Sequence, residues 1–371
     1  MPHPTVARIH LDRLRHNYLA IKGRTAPARV IPVVKADAYG HGAVACCREL
    51  CGRGASFFAV ARLDEARALA ESGIRATILI FGRILPDELA VAVREGFRVT
   101  AFSRRDLDWM EKAAAGRKAF VHVKVDTGMG RVGLIPDQDP GFFSALAASP
   151  SLIFEGLYSH FSTSDEKDPA FALQQLASFQ SLVSALGAKN MAPPMVHMAN
   201  SGAVLSLPGS FFTHVRPGIL MYGYPPSREC PDTVTARPVM TFESAVAHLR
   251  LLPEGAPVSY GRLWAAPRET RVAVVPAGYG DGYPRSLTGR ARVLIRGKKY
   301  PVVGRVTMDQ IMVHVGDDPV AEGDPVVLWG ETDQGGIPLW DIAETLGTIP
   351  YELCCGVSPR VPRMYVDEES P

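Results

Sequence analysis

The stretch RVIPVVKADAYGHG, residues 29–42, decides how the rest of the chain is read. Its first half, RVIPVV (29–34), is a short apolar run with Pro32 inside it, and predicts a buried β-strand. The run ends abruptly at Lys35, and a small, polar, Gly-rich loop follows. An unpaired ammonium at the tip of a buried strand is costly, because burial disfavours the charged form. A solvated loop lysine is the plain reading. Its place directly after a buried strand supports another: an amine that loses solvation drops in pKa and can attack carbonyls.

Working outward, the same grammar repeats. β-rich runs follow at 56–61, 76–82, 98–103, 119–127, 152–161, 194–201 and 214–223. Stretches of helical period lie between them, among them LDEARALAESG, PDELAVAVREG, RRDLDWMEKAAAG and ALQQLASFQSLVSALG. A further helix, LDRLRHNYLAIKG (11–23), precedes the first strand, starting near Asp12 and stopping at Gly23. Eight strands with crossovers predict an α/β fold, a (β/α)8 TIM barrel over residues 1–236, in preference to an open doubly wound sheet. After residue 236 the pattern changes. Strand-like runs joined by Gly and Pro turns predict a mainly β domain over 237–371, in which only DIAETLG (341–347) looks helical.

Composition narrows the function. Forty basic and 38 acidic residues give a net charge of +2, without a basic block or acidic tail, so nucleic acid and anionic membrane are poor partners. No apolar run approaches a membrane span, and the N-terminus lacks the apolar core of a signal peptide. The six cysteines form no CxxC pair, which disfavours a zinc ribbon or disulfide framework and suits a reducing cytoplasm. Cys46, Cys47 and Cys51 read as small residues on a packed helix.

In a barrel the chemistry lies at the C-terminal ends of the strands. Polar residues fall there regularly: Lys35 and Tyr39, then His122, Lys124 and Asp126 on one parity with Arg131 beyond, then His160, Asn200, Ser201 and Arg216. The amine at position 35 could form an imine with a sugar-like substrate or with pyridoxal phosphate. Two other patterns are weaker. Gly128, Gly130 and Gly133 spell GxGxxG after a strand, but Pro136 and Pro140 follow where a dinucleotide fold needs a helix. His122, His160 and His197 lie on consecutive strands, yet there is no HxH or HxxxH pair, and no metal site is expected.

The lysine segment VVKADAYGHG resembles that of the alanine racemases. So do KVDTGMGRVG (124–133), GLYSHF (156–161), ANSG (199–202), VRPGI (215–219), VSYG (258–261), GYGDGY (278–283), VGRVTMDQ (303–310) and SPRVPRMY (358–365). This resemblance implies a pyridoxal 5'-phosphate enzyme that interconverts L- and D-alanine for peptidoglycan. It implies a homodimer with shared active sites, in which the β domain of one subunit reaches the other's site. Lys35 and Tyr260 would be the two bases, one on each face of the substrate Cα. A phenol with an ordinary pKa of about 10 is a poor base at neutral pH, so it needs cationic or donor neighbours, and His160 with Arg216 are the candidates. Arg216 would donate to the cofactor's pyridine nitrogen; arginine can only donate, which leaves that nitrogen unprotonated. The related barrel decarboxylases place a carboxylate there. Tyr39, Ser201, the Gly218 and Ile219 backbone and Tyr351 would hold the phosphate.

Arg131, with Met308 and Asp309 from the partner chain, would bind the substrate carboxylate. Tyr279, Arg285, Arg305 and Tyr351 match residues lining a narrow entrance. Lys124 matches a lysine that several family members carry as a carbamate; an ion pair with Asp126 is the alternative. Thr307 stands where many members have cysteine and Gly280 where alanine is common, while Pro350 lies beside Tyr351. A racemase of the same fold acting on serine or another amino acid, an amino-acid decarboxylase and a non-catalytic cofactor-binding protein are the competing readings. Arg216 with Tyr260 argues against the decarboxylase, and the whole second domain against the binding protein.

Overall fold

The computed structural model describes residues 3–367. They fall into two compact units. One comprises Leu14–Ala38 and Ala43–Arg237; the other gathers residues 3–13, the short segment Tyr39–Gly42, and residues 238–367.

The first unit carries eight parallel strands: Arg29–Val30, Phe57–Val60, Thr77–Ile80, Val99–Ala101, Ala119–Lys124, Leu152–Tyr158, Met195–His197 and His214–Val215. The last five pair in succession, and the eighth returns to the first through Arg29↔His214 and Val30↔Val215. The second and third pair with each other. Single bridges, Val33↔Ala59 and Leu79↔Arg98, join them to the first and the fourth. The ring therefore closes, as the count of strands predicted.

The helices between the strands each bury one stripe. Leu63–Glu71 buries Leu63, Ala66 and Leu69, and Arg104–Ala114 buries Leu107, Met110 and Ala114. Cys46 and Cys47 are buried on the helix Ala43–Gly52. Several details differ from the sequence reading. The first strand, expected over 29–34, is only Arg29–Val30. The first helix runs Leu11–Thr25, past Gly23, and the Thr25 hydroxyl donates to Ile21 O at its end. The last strand is only His214–Val215, because the chain turns into a 3-10 helix, Ile219–Tyr222. Beyond the glycines of GxGxxG come a 3-10 turn, Pro136–Gln138, and a helix, Phe142–Ala148, that the two prolines had hidden.

In the second unit a strand that the sequence reading missed, Val6–His10, lies inside a long mixed sheet. It pairs antiparallel with Met240–Ala245 and parallel with Arg363–Val366, and its alternation puts Ala7 and Ile9 in the core. Trp329 anchors that core, with the Phe242 ring 4.5 Å and the Tyr283 ring 6.2 Å from it. Two helices occur here rather than one: Leu339–Leu346, and Pro350–Gly356, which carries Tyr351. Pro350 is a favoured residue for a first helical turn, so it starts this helix instead of preventing it.

Candidate active site

Lys35 follows the apolar residues 31–34, which continue from the first barrel strand, Arg29–Val30, with a single bridge at Val33. The backbone on both sides of Lys35 is tied down. Val34 N–H donates to Ala59 O at 2.9 Å, and Ala36 N–H donates to the Glu65 carboxylate at 2.6 Å. Glu65 also accepts from Ala61 and Arg62 N–H at the start of its own helix. The chain then makes a left-handed turn: Ala36, Asp37, Ala38 and Tyr39 all have φ between 53° and 55°. Residues with a Cβ disfavour this conformation by roughly 1–2 kcal/mol each, so tertiary bonds must hold it. Asp37 supplies one, accepting from Ala43 N–H at 2.7 Å where the next helix begins.

Arg216 is 4% exposed. Its Nη2 donates to Ser159 O at 2.7 Å and Met198 O at 3.2 Å and approaches His160 Nδ1 at 3.4 Å; its Nη1 donates to His197 Nδ1 at 2.9 Å. Arginine has five N–H donors. Among the described residues, Nε and the second Nη1 hydrogen have no protein acceptor. The guanidinium also lies 5.1 Å from the Tyr158 ring centre and 5.9 Å from that of Phe81. Burial lowers its pKa to about 10, so it stays cationic at neutral pH. Burial and the nearby Arg216 charge push both His160 and His197 well below the ordinary histidine value, and both rings are neutral.

Lys124 is also buried, and its ammonium donates to Val132 O at 2.6 Å. Burial lowers its pKa to about 8. Asp126 uses its carboxylate on the backbone, accepting from the N–H groups of Gly128, Met129, Gly130 and Arg131. Burial alone would raise this carboxyl, yet those N–H groups and Lys124 hold it below the usual range. Ser201 opens the helix Ser201–Ser206, and its hydroxyl accepts from Gly218 N–H at 2.9 Å and Leu220 N–H at 3.3 Å. Asn200 caps that helix, its side chain accepting from Ala203 N–H.

The second unit carries the remaining candidates. Tyr39 and Tyr351 place their ring centres 5.9 Å apart. Tyr260 is 72% exposed, on a turn where Ser259, Gly261 and Arg262 all have positive φ. Ser259 Oγ ties that turn to Arg305 O. Tyr279 and Met308 are exposed, and Tyr279 and Gly280 donate their N–H groups to Thr307 O and Met308 O. Arg285 is exposed on a short 3-10 turn. Sequence reasoning gave Arg360 no role. It clamps the Met308–Asp309 turn, donating to Asp281 at 2.8 Å, Asp309 at 2.9 Å and Met308 O at 3.3 Å.

Comparison with known proteins gives the family. The sequence profile of the alanine racemase N-terminal domain matches residues 9–226, and that of the C-terminal domain matches 239–365. The chain belongs to the alanine racemase family. An alanine racemase of Desulfovibrio desulfuricans is 43% identical, with 98% of each chain covered. One from Desulforamulus reducens is 40% identical over 99% of this chain and all of the relative. The crystal structure of the alanine racemase from a D-cycloserine-producing Streptomyces lavendulae superposes with a TM-score of 0.93 at 35% identity, covering 99% of this chain and 98% of that one. Isomerase chemistry on an amino acid is therefore the setting for these residues. No helix among the described residues is long and apolar enough to cross a membrane.

Proposed function

We propose that this alanine racemase works with pyridoxal 5'-phosphate, in the cytoplasm, as a homodimer whose sites are shared, and supplies D-alanine for peptidoglycan. The barrel's own donors, Arg216 and Ser201 among them, suit that cofactor. Arg216 carries the reading: a buried, permanently protonated guanidinium whose other donors are occupied keeps Nε and one Nη1 hydrogen for an acceptor such as a pyridine nitrogen. Ser201, the Ile219 backbone, Tyr39 and Tyr351 are hydroxyl and amide donors suited to a phosphate dianion, and the Gly218 N–H would join them by exchanging its bond to Ser201 Oγ for one to the phosphate. When bound, the cofactor supplies a conjugated ring that delocalises the charge left as the Cα proton departs.

The chain's own residues then divide the work. Lys35 would hold the cofactor through its amine, and that amine would move a proton at one face of Cα. Tyr260 of the partner subunit moves a proton at the opposite face. Its exposure in the single chain suits a residue that a second copy covers. Arg216, which can only donate, would meet the cofactor's ring nitrogen as an acceptor and so would favour return of the proton to Cα. Arg131, with Met308 and Asp309 of the partner subunit, fixes the alanine carboxylate, and Tyr279, Arg285 and Arg305 line the approach.

Lys124, with its lowered pKa, keeps a neutral amine fraction at physiological pH. That amine can add to carbon dioxide, forming an N–C bond and releasing one proton, to give an anion that steadies Arg131. Electron density in a crystal would reveal the adduct.

The deciding assay incubates enzyme in deuterium oxide with L- and D-alanine, and separately with serine and lysine. Deuterium entering Cα of both alanine enantiomers as they interconvert is the expected result. Preferential exchange of serine or lysine, or release of carbon dioxide, overturns the reading.

A further inference from the structure

Behind Arg216 a continuous hydrogen-bonded line of side chains crosses the barrel interior. His197 Nε2 lies 3.0 Å from His122 Nδ1, and His122 Nε2 lies 3.1 Å from Glu155 Oε2. Glu155 accepts in turn from Arg98 Nε and Nη2, each at 3.0 Å. Arg98 directly precedes the strand Val99–Ala101, at the end of the barrel opposite the mouth. Both histidines are fully buried.

Donor logic fixes the direction of the line. Arg216 can only donate, so His197 Nδ1 must accept, and the neutral ring carries its proton on Nε2. That N–H donates to His122 Nδ1, so His122 also carries its proton on Nε2 and donates it to the carboxylate. Arg98, another obligate donor, requires Glu155 to be an acceptor. Each imidazole therefore turns its electron-rich nitrogen toward Arg216 and its N–H toward Glu155. The partners of Arg216 described above include no carboxylate, so these aligned dipoles, with the Ser159 and Met198 carbonyls, are what its charge meets.

The backbone is built to make this line. The pairing of Ala119–Lys124 with Leu152–Tyr158 slips between Val121 and His122, so that Val121 faces Phe154 but His122 faces Gly156. The extra residue is Glu155, and a bulge re-aims the side chain it carries. At Gly156 a Cβ would stand 2.2 Å from His122 Nδ1, so only glycine leaves room for the ring.

We propose that Glu155 is a positioning residue for the reaction: through His122 and His197 it fixes the tautomer that Arg216 faces, and so the orientation in which Arg216 is presented. This rests on Arg216 serving the bound cofactor as argued above. In Glu155→Gln the amide NH2 must face either His122 or Arg98. Facing His122 it reverses both tautomers and sets His197 Nδ1–H against Arg216 Nη1–H; facing Arg98 it breaks the anchor.

The test uses holoenzyme labelled with 15N-histidine, reading ring tautomers by long-range 1H–15N correlation, with His122→Asn and His197→Asn for assignment. Wild type is expected to show both rings neutral and protonated on Nε2. Glu155→Gln is expected to switch or mix them, retain the bound cofactor's absorbance, and lower kcat about 10-fold with KM changed less than about 2-fold, the scale of lost support to a functional side chain. Glu155→Asp should recover part of the rate. A wild-type ring protonated on Nδ1 overturns the proposal even if no variant folds. So do unchanged tautomers in Glu155→Gln, or switched tautomers with unaltered kcat. The tautomer spectrum reads the line whatever the substrate proves to be, so failure here is separable from failure of the racemase reading.

Discussion

The barrel unit buries Arg216 and Lys124 but leaves Arg131 exposed, while the β unit exposes Tyr260, Tyr279 and Met308 but buries Tyr39. At the barrel mouth Arg216 and Lys124 are buried and Ser201 is saturated with backbone donors. In the β unit Tyr260, Tyr279 and Met308 lie 72%, 42% and 52% exposed. One region is pre-organised by its own fold, and the other offers large side chains held on tied turns. Such groups gain little by themselves and suit a surface that a second chain covers.

The largest effect that can break this contrast comes from pairing two inactive variants. Lys35→Ala should show no turnover and lose the borohydride-reducible chromophore. Tyr260→Phe should keep the chromophore but fall about 100-fold or more in kcat, the scale of a proton-transfer group. Mixed under conditions of subunit exchange, the two should recover about a quarter of the wild-type sites, as random dimers of shared sites require. No recovery after proven exchange would show that each chain is self-sufficient.

Gly156→Ala comes next. It places a methyl against His122 inside the barrel, and overpacking of this kind costs about 1–3 kcal/mol. Denaturant unfolding should report that loss, with kcat reduced; a neutral substitution would mean that the His122 ring can move aside.

Acid should separate the two units. Burial holds His122, His160, His197 and His214 below the ordinary value of 6.5, the last at about 4. Below about pH 6.5 the unfolded chain binds protons that the folded barrel refuses. Stability is therefore full above that pH and falls as pH drops, by about 1.4 kcal/mol per pH unit for each ring until its folded pKa is reached. Burial alone would raise Glu155, but hydrogen bonds from His122 and Arg98 hold it at about 2, so its contribution is lost only below about pH 4.5. In the β unit burial lowers His10, to about 4. Hydrogen exchange at pH 5.5 should thus show barrel strands losing protection more than the β sheet does.

The smallest effect concerns the exposed side. Arg360→Ala frees the Met308–Asp309 turn and should raise KM for alanine about 3-fold with kcat nearly unchanged, as loss of uniform binding predicts.

These contrasts also explain what could be read in the sequence. The barrel was legible because its strands are apolar runs with polar ends, and Lys35, His160 and Arg216 stand at those ends. Glu155 was not, because it lies mid-strand, where alternation would turn it outward; only the bulge brings it under His122, and a bulge leaves no mark in composition. His122 and His197 had been weighed as metal ligands and set aside, and their lone pairs and protons are in fact used on one another and on Arg216 and Glu155. The strand Val6–His10 was missed because its partners, Met240–Ala245 and Arg363–Val366, are more than 200 residues away in sequence. Arg360 stood inside a quoted segment, yet nothing local marks an arginine whose acceptors lie 51 and 79 residues upstream.

The excursion Tyr39–Gly42 bears on the order of synthesis. These four residues, which begin with the last residue of the left-handed turn beside Lys35, belong to the compact unit that the C-terminal part of the chain completes. Gly40 packs where a Cβ would stand 2.3 Å from Cys354 O, and Arg363 Nε donates to Gly40 O at 3.1 Å. A ribosome that has released the whole barrel has not yet made the residues on which the lysine's own loop rests. The nascent enzyme must hold that loop unfinished until its final stretch emerges, and no single cut in the chain can separate its two halves intact.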